Sequence, residues 1–98
     1  MRIITEAKLR EFWTVNQSAE TAMREWIKIV RAADWKNFSD VRATFNHADV
    51  FGDCTIFDVG GNKYRIIAKV RYQRHSVFIR FVLTHIEYDK NKWHSDCK

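Results

Sequence analysis

Two periodicities divide the chain. Near the start, Leu9, Phe12 and Trp13 recur at i, i+3, i+4, and Ala19, Ala22, Met23, Trp26, Ile27, Val30 and Ala33 form one apolar stripe. That spacing predicts two amphipathic helices, from about Thr5 to Asn16 and from Ser18, a suitable N-cap, to about Ala33. The short "NQS" break between them implies antiparallel packing. A third, shorter helix is expected from Asp40 to Phe45, capped by Ser39.

After Asp49 the pattern shifts toward alternation. "CTIFDV" is strand-prone, and Gly60, Gly61 and Asn62 make a hairpin turn because all three tolerate positive φ. Two strands follow, Lys63–Tyr72 and Ser76–Thr84, with no Pro or Gly inside either. In the first, Tyr64, Ile66, Ala68, Val70 and Tyr72 alternate with Lys63, Arg65, Ile67, Lys69 and Arg71. In the second, Val77, Ile79, Phe81 and Leu83 alternate with Phe78, Arg80, Val82 and Thr84. Bringing the two apolar sets to one face requires a loop of even length, and "QRHS" (Gln73–Ser76) suits a four-residue loop. This register predicts an α+β fold, an N-terminal helical hairpin packed on one face of a small antiparallel β-sheet. The other face is then open and basic, with Arg80 and Thr84 beside Lys63, Arg65, Lys69 and Arg71. Ile67, Phe78 and Val82 interrupt those cations. Such a surface suits base stacking with RNA, a partner peptide, or cover by the chain's own C-terminus.

Composition narrows the class. A length of 98 residues with 46% hydrophobic content fits a single domain, residues 1–98, with one modest core. No segment has the length of a membrane span, and none reads as a targeting signal. Cys54 and Cys97 are too few for a disulfide framework and lack CxxC spacing, which predicts reduced thiols in a cytoplasmic protein. Cys54 then reads as a small hydrophobe in a strand. The two cysteines and the scattered histidines match no regular zinc-ligand spacing, so no metal or cofactor is expected. The net charge of +5 is uneven: residues 1–49 carry eight Lys/Arg against seven Asp/Glu, and residues 50–98 carry nine against five. Lys63 to Arg80 holds six basic residues and no acid, which favours a polyanionic partner or a solvated strand face.

"THIEYDK" (residues 84–90) ends the last strand with His85, Glu87, Tyr88, Asp89 and Lys90. It reads either as a polar tail or as an acid–base cluster at the rim of a sheet. If it turns helically, Tyr88 and Asp89 stand at i+3 and i+4 from His85 and share its side.

The blocks "IFDVGGNKYRIIAKVRY" and "VFIRFVLTHIEYDKNKW" together resemble the HigB toxins of type II toxin–antitoxin systems, within the RelE/ParE-like superfamily. The resemblance covers about the last half of the chain; the first half agrees in helical layout and length. One departure is Asp58, where Asn is expected before Val-Gly-Gly. The resemblance implies a RelE-like fold and a ribosome-dependent mRNA endonuclease acting at the ribosomal A site. It also implies neutralisation by a HigA-type helix-turn-helix antitoxin. A different class of answer, present in the same superfamily, is a non-catalytic interaction toxin directed at gyrase, or an RNA-binding module.

Metal-free RNA cleavage needs a group to move the 2′-OH proton, charge stabilisation at the phosphate and protonation of the leaving 5′ oxygen. His85 suits proton transfer because imidazole titrates near neutrality. Arg65 and Arg80 suit the phosphate, with Lys63, Lys69, Arg71 and Lys90 as further RNA contacts and Phe78 as a stacking surface. Tyr88 is placed to orient the substrate, stack on a base or supply a proton, and Asp89 to hold His85 in one tautomer. Each has a plainer alternative: His85 as a capping residue, Tyr88 as core closure, Asp89 with Lys90 as a solvated pair, and Arg65 as a structural anchor.

Overall fold

The apolar stripes become helices where expected. In the computed structural model, which describes residues 1–98, α1 spans Ala7–Val15, α2 Glu20–Ala32 and α3 Phe38–Thr44. Leu9 and Trp13 of α1 and Met23, Trp26, Ile27 and Val30 of α2 are buried. Glu6, just before α1, accepts from Arg31 near the end of α2 at 2.7 Å, and Arg24 lies over the Trp13 ring, so the two helices run antiparallel. Neither expected serine cap forms. Ser18 sits in a 3-10 turn, Gln17–Ala19, and its hydroxyl pairs with that of Tyr64. The cap of α3 is Asn37, whose side chain accepts from the Asp40 amide at 3.0 Å, because the helix starts earlier than Asp40.

The helices cover one face of a five-stranded sheet in the order β1-β5-β4-β3-β2. The strands are β1 (Arg2–Ile4), β2 (Asp49–Phe51), β3 (Cys54–Val59), β4 (Tyr64–Arg71) and β5 (Ser76–Thr84). The sheet is mixed rather than wholly antiparallel, since β1 pairs parallel with the start of β5. A three-residue strand leaves too little alternation to be seen in sequence. The β3–β4 turn uses positive φ at Gly60, Gly61 and Asn62 (70°, 62° and 76°), and Lys63 lies in the turn rather than in the strand. Arg71 pairs with Ser76, so the next loop has four residues as expected, but they are Tyr72–His75.

The expected register holds for only half of β5. Val77 pairs with Val70 and Ile79 with Ala68, yet Phe81 pairs with Ile67, leaving Arg80 as the extra residue of a β-bulge. Beyond the bulge every side chain changes face. Val82, opposite Ile66, packs on the helix-side core, whereas Phe81 and Leu83 turn to the other face. Thr84 pairs with core-facing Tyr64, which corrects its expected place among the cations. The bulge gives β5 apolar residues on both sides, and each side acquires a core.

The helix-side core is aromatic at its centre: fully buried Phe57 meets Trp26, Trp35 and Phe45. The second core joins Cys54, Ile56 and Ile67 of the sheet to Trp93 and Cys97 of the C-terminal segment, with Phe51, Phe81, Leu83 and Tyr88 at its margin. The open face is therefore covered in part by the chain's own end. Cys54 and Cys97 are joined as a disulfide, which corrects the expectation of reduced thiols; 43 residues apart, they meet only because this segment folds back. The Asp53 amide also donates to the Cys97 carbonyl at 2.8 Å. A Cβ on Gly52 would stand 1.6 Å from that oxygen, so glycine is what lets the segment dock.

Closing a loop of this length restricts the unfolded chain, and reduction is expected to lower unfolding stability by about 2–4 kcal/mol. Urea unfolding with and without a dithiol reductant measures the difference. Alkylation of the denatured, unreduced protein should leave both sulfurs unlabelled.

Candidate active site

"THIE" forms a capping box. The Thr84 hydroxyl accepts from the Glu87 amide at 3.2 Å, and the Glu87 carboxylate accepts from the Thr84 amide at 2.9 Å. This reciprocal pair ends β5 and starts a short helix, α4 (His85–Asp89). The His85 amide donates to the Lys63 carbonyl at 2.9 Å, fastening α4 to the Gly-Gly-Asn turn. The helical spacing expected for His85, Tyr88 and Asp89 is present.

His85 Nδ1 is shielded from solvent and lies 3.4 Å from Asp89 Oδ2, near enough for charge attraction but without hydrogen-bond alignment. The imidazole as a whole is 45% exposed, so its accessible part lies away from Nδ1. Tyr88 points inward. Its ring stacks on Trp93 at 5.2 Å with 11° between planes, its carbonyl accepts from the Trp93 indole, and Arg65 lies 4.9 Å from its centroid. Burial pushes the Tyr88 phenol above its ordinary value, and the Arg65 charge works against that rise.

Arg65 is itself buried. One terminal nitrogen meets Asp58 Oδ1 and the Asn62 and Tyr64 carbonyls at 3.2–3.3 Å, and the other donates to Asn62 Oδ1 at 2.6 Å. In this arrangement Arg65 braces the turn beneath Tyr88. Asp58, the departure noted in sequence, is its carboxylate partner.

Arg80 and Lys69 are also engaged. Arg80 makes two parallel bonds to Asp96, both 2.7 Å, while its guanidinium lies over Phe78. Those bonds hold the Asp96 carboxyl below its usual range and raise Arg80 above its own. Lys69 faces Asp53 at 3.2 Å. Lys63 and Lys90, by contrast, are exposed on either side of α4 and form no ion pair. Beside Lys90 a cavity of about 250 Å³ is lined by Phe81, Leu83 and Trp93 together with Glu87, Lys90 and Lys92.

The residues singled out in sequence thus fall into three zones. His85, Tyr88, Asp89, Arg65, Lys63 and Lys90 gather around α4. Arg80 and Lys69 lie mid-sheet, each against a carboxylate. Arg71 and Phe78 line the far end of the sheet. Sequence reasoning missed Lys92, Asn62, Asp53 and Asp96. Only the Arg80–Asp96 pair could have been anticipated, had a covering C-terminus been chosen for the open face. Cys54, Cys97 and Asp96 bring three possible metal-ligand atoms within 4.8 Å, but the two sulfurs are bonded together and Asp96 is held by Arg80.

Comparison with known proteins gives this geometry its context. Residues 19–91 match the model of the HigB toxin family, described as the RelE-like toxic component of a toxin–antitoxin system. The chain belongs to that family. An antitoxin is therefore its partner class. It is 27% identical over 93 residues to the mRNA interferase HigB of Escherichia coli O6:H1, covering 92% of this chain and 90% of the relative. To the mRNA interferase toxin HigB of Escherichia coli K12 it is 28% identical over 92 residues, covering 91% and 88% respectively. The mRNA interferase HigB of Shigella flexneri matches to the same extent. No helix is long and apolar enough to cross a membrane.

The Arg80–Asp96 pair has a pH signature. A carboxyl depressed in the folded state contributes stability above its unfolded value, near about 3.9, and loses it as pH falls through the folded value. Asp96→Asn should therefore be less stable than the parent at pH 6, with the gap narrowing toward pH 3. Urea unfolding at the two pH values reads this out.

Proposed function

We propose that this toxin is an mRNA endonuclease acting at α4, with His85 as its proton-transfer group. The observation that carries the reading is His85 itself: a half-exposed imidazole, faced by Asp89 on a capped helix and flanked by unpaired Lys63 and Lys90. The curated relatives, each named as an mRNA interferase, support it.

Asp89 beside Nδ1 favours the tautomer with its proton on that nitrogen, leaving Nε2 with a lone pair for the substrate. His85 accepts the proton of an RNA 2′-OH. The resulting oxygen attacks the adjacent phosphorus to form a 2′,3′-cyclic phosphate, the bond to the 5′ oxygen breaks, and that oxygen takes a proton from solvent water while His85 returns to solvent the proton it accepted. Lys63 and Lys90 stabilise the charge that gathers on the phosphate. Tyr88 takes part as a neutral phenol, since burial opposes its ionisation, and Arg65 holds Tyr88 and the turn in position. The cavity lined by Phe81, Leu83 and Trp93 offers an apolar surface for a neighbouring base. Arg80 and Lys69 contribute to RNA binding where a phosphate replaces Asp96 or Asp53 as their partner.

In this reading the substrate is mRNA on the ribosome at the A site, the compartment is the cytoplasm, and the antitoxin is of the HigA helix-turn-helix type. His85→Ala is expected to lower cleavage by about 10²–10⁴-fold. The assay is growth arrest together with mapping of cellular RNA 5′ ends. Arrest that disappears with no change in transcript ends would replace the nuclease reading with a non-catalytic toxin.

A further inference from the structure

A second basic site lies at the opposite end of the sheet from His85. Arg2 of β1, Lys36 of the loop between α2 and α3, Arg71 at the end of β4 and Arg74 of the following turn line a cavity of about 850 Å³. Tyr72 and Phe78 add two aromatic rings to its wall, and no carboxylate lines it. All four cations are exposed, and none is in an ion pair. Two acids stand on flanking segments: Asp34 faces His75 at 3.1 Å, and Asp40 accepts from the Lys36 amide at 2.8 Å and acts electrostatically on Tyr72.

The contrast with the middle of the sheet is the informative point. There Lys69 and Arg80 have Asp53 and Asp96 as partners, and Arg65, nearer α4, has Asp58. The cations of the far groove have no internal counterion, so they exert a stronger net field on a polyanion. Strand pairing puts Arg2, Arg71 and Phe78 on the same sheet face as Lys69, the face that leads toward α4. At about 3.3 Å per residue, β5 carries the chain roughly 26 Å from Ser76 at the groove to Thr84, the residue before His85. One phosphate cannot touch both, whereas one strand of RNA can.

We propose that the Arg2–Lys36–Arg71–Arg74 groove is a docking site for the phosphate backbone of single-stranded RNA, distinct from the α4 site, that holds the strand whose other part reaches His85. The proposal rests on the nuclease reading for the substrate's identity, but its test does not require cleavage. Phosphates sit among the four cations, and bases stack on Tyr72 and Phe78, giving affinity with little sequence preference.

The test measures binding of a short single-stranded RNA, blocked from cleavage by 2′-O-methyl groups, through fluorescence anisotropy across a salt series. Arg71→Ala with Arg74→Ala should weaken binding about tenfold and reduce the slope of log affinity against log salt by about 1.4, roughly 0.7 for each phosphate no longer neutralised. Arg24→Ala with Lys28→Ala, which removes the same charge from the helical face, should leave the slope unchanged. A slope equal to the parent's in the Arg71/Arg74 variant would overturn the proposal. So would an equal loss in the Arg24/Lys28 variant, since net charge alone would then explain the effect. His85→Ala separates the two readings. If it still cleaves RNA, the α4 assignment fails while the groove is judged by the slope alone.

Discussion

One extra residue in β5 organises both sides of the sheet. Without the bulge at Arg80, Phe81 and Leu83 would face the helices, and the other face would hold Val82 among cations. With it, Phe81 and Leu83 join Ile67 as an apolar floor, and that floor is what Trp93 and Cys97 cover. Arg80 is left at the point of irregularity, where it reaches Asp96 of the covering segment. Bulges recur where a strand must re-aim its side chains, and here the consequence extends to the chain terminus.

The covering segment determines which cations remain available. It carries Asp96 to Arg80 and seats Trp93 against Tyr88, which in turn lies over Arg65. The middle of the sheet is thereby neutralised and filled, and the unpaired positive charge is displaced toward its two ends. At one end it flanks a histidine supplied by a capped helix; at the other it lines an open groove. A sequence-wide excess of basic residues becomes two separate fields because Asp53 and Asp96 lie between them, each against a cation.

Much of this arrangement could be read from residue order. The stripe of α2, the Gly-Gly-Asn turn, the alternation of β4 and the helical placement of His85, Tyr88 and Asp89 all depend on local chemistry, and local chemistry is visible in sequence. The capping box was equally legible in "THIE", although the titratable groups there are the more conspicuous feature. What stayed hidden was non-local. Alternation runs unbroken through "VFIRFVLT" on either parity, so the bulge leaves no mark beyond three consecutive apolar residues, Phe81 to Leu83. The Cys54–Cys97 bond, the seat at Gly52 and the Arg80–Asp96 pair all depend on where the last residues return. β1 was missed because three residues are too few to show a period.

The central claim is that a single RNA strand spans one sheet face, from the Arg71/Arg74 groove to His85. Amide chemical-shift mapping with a non-cleavable single-stranded RNA addresses it most directly. The account predicts perturbations in two separate groups, at Arg71–His75 and at Lys63 with His85–Asp89, both saturating at the same RNA concentration. Perturbations confined to α1 and α2, or two groups titrating at unrelated concentrations, would contradict it.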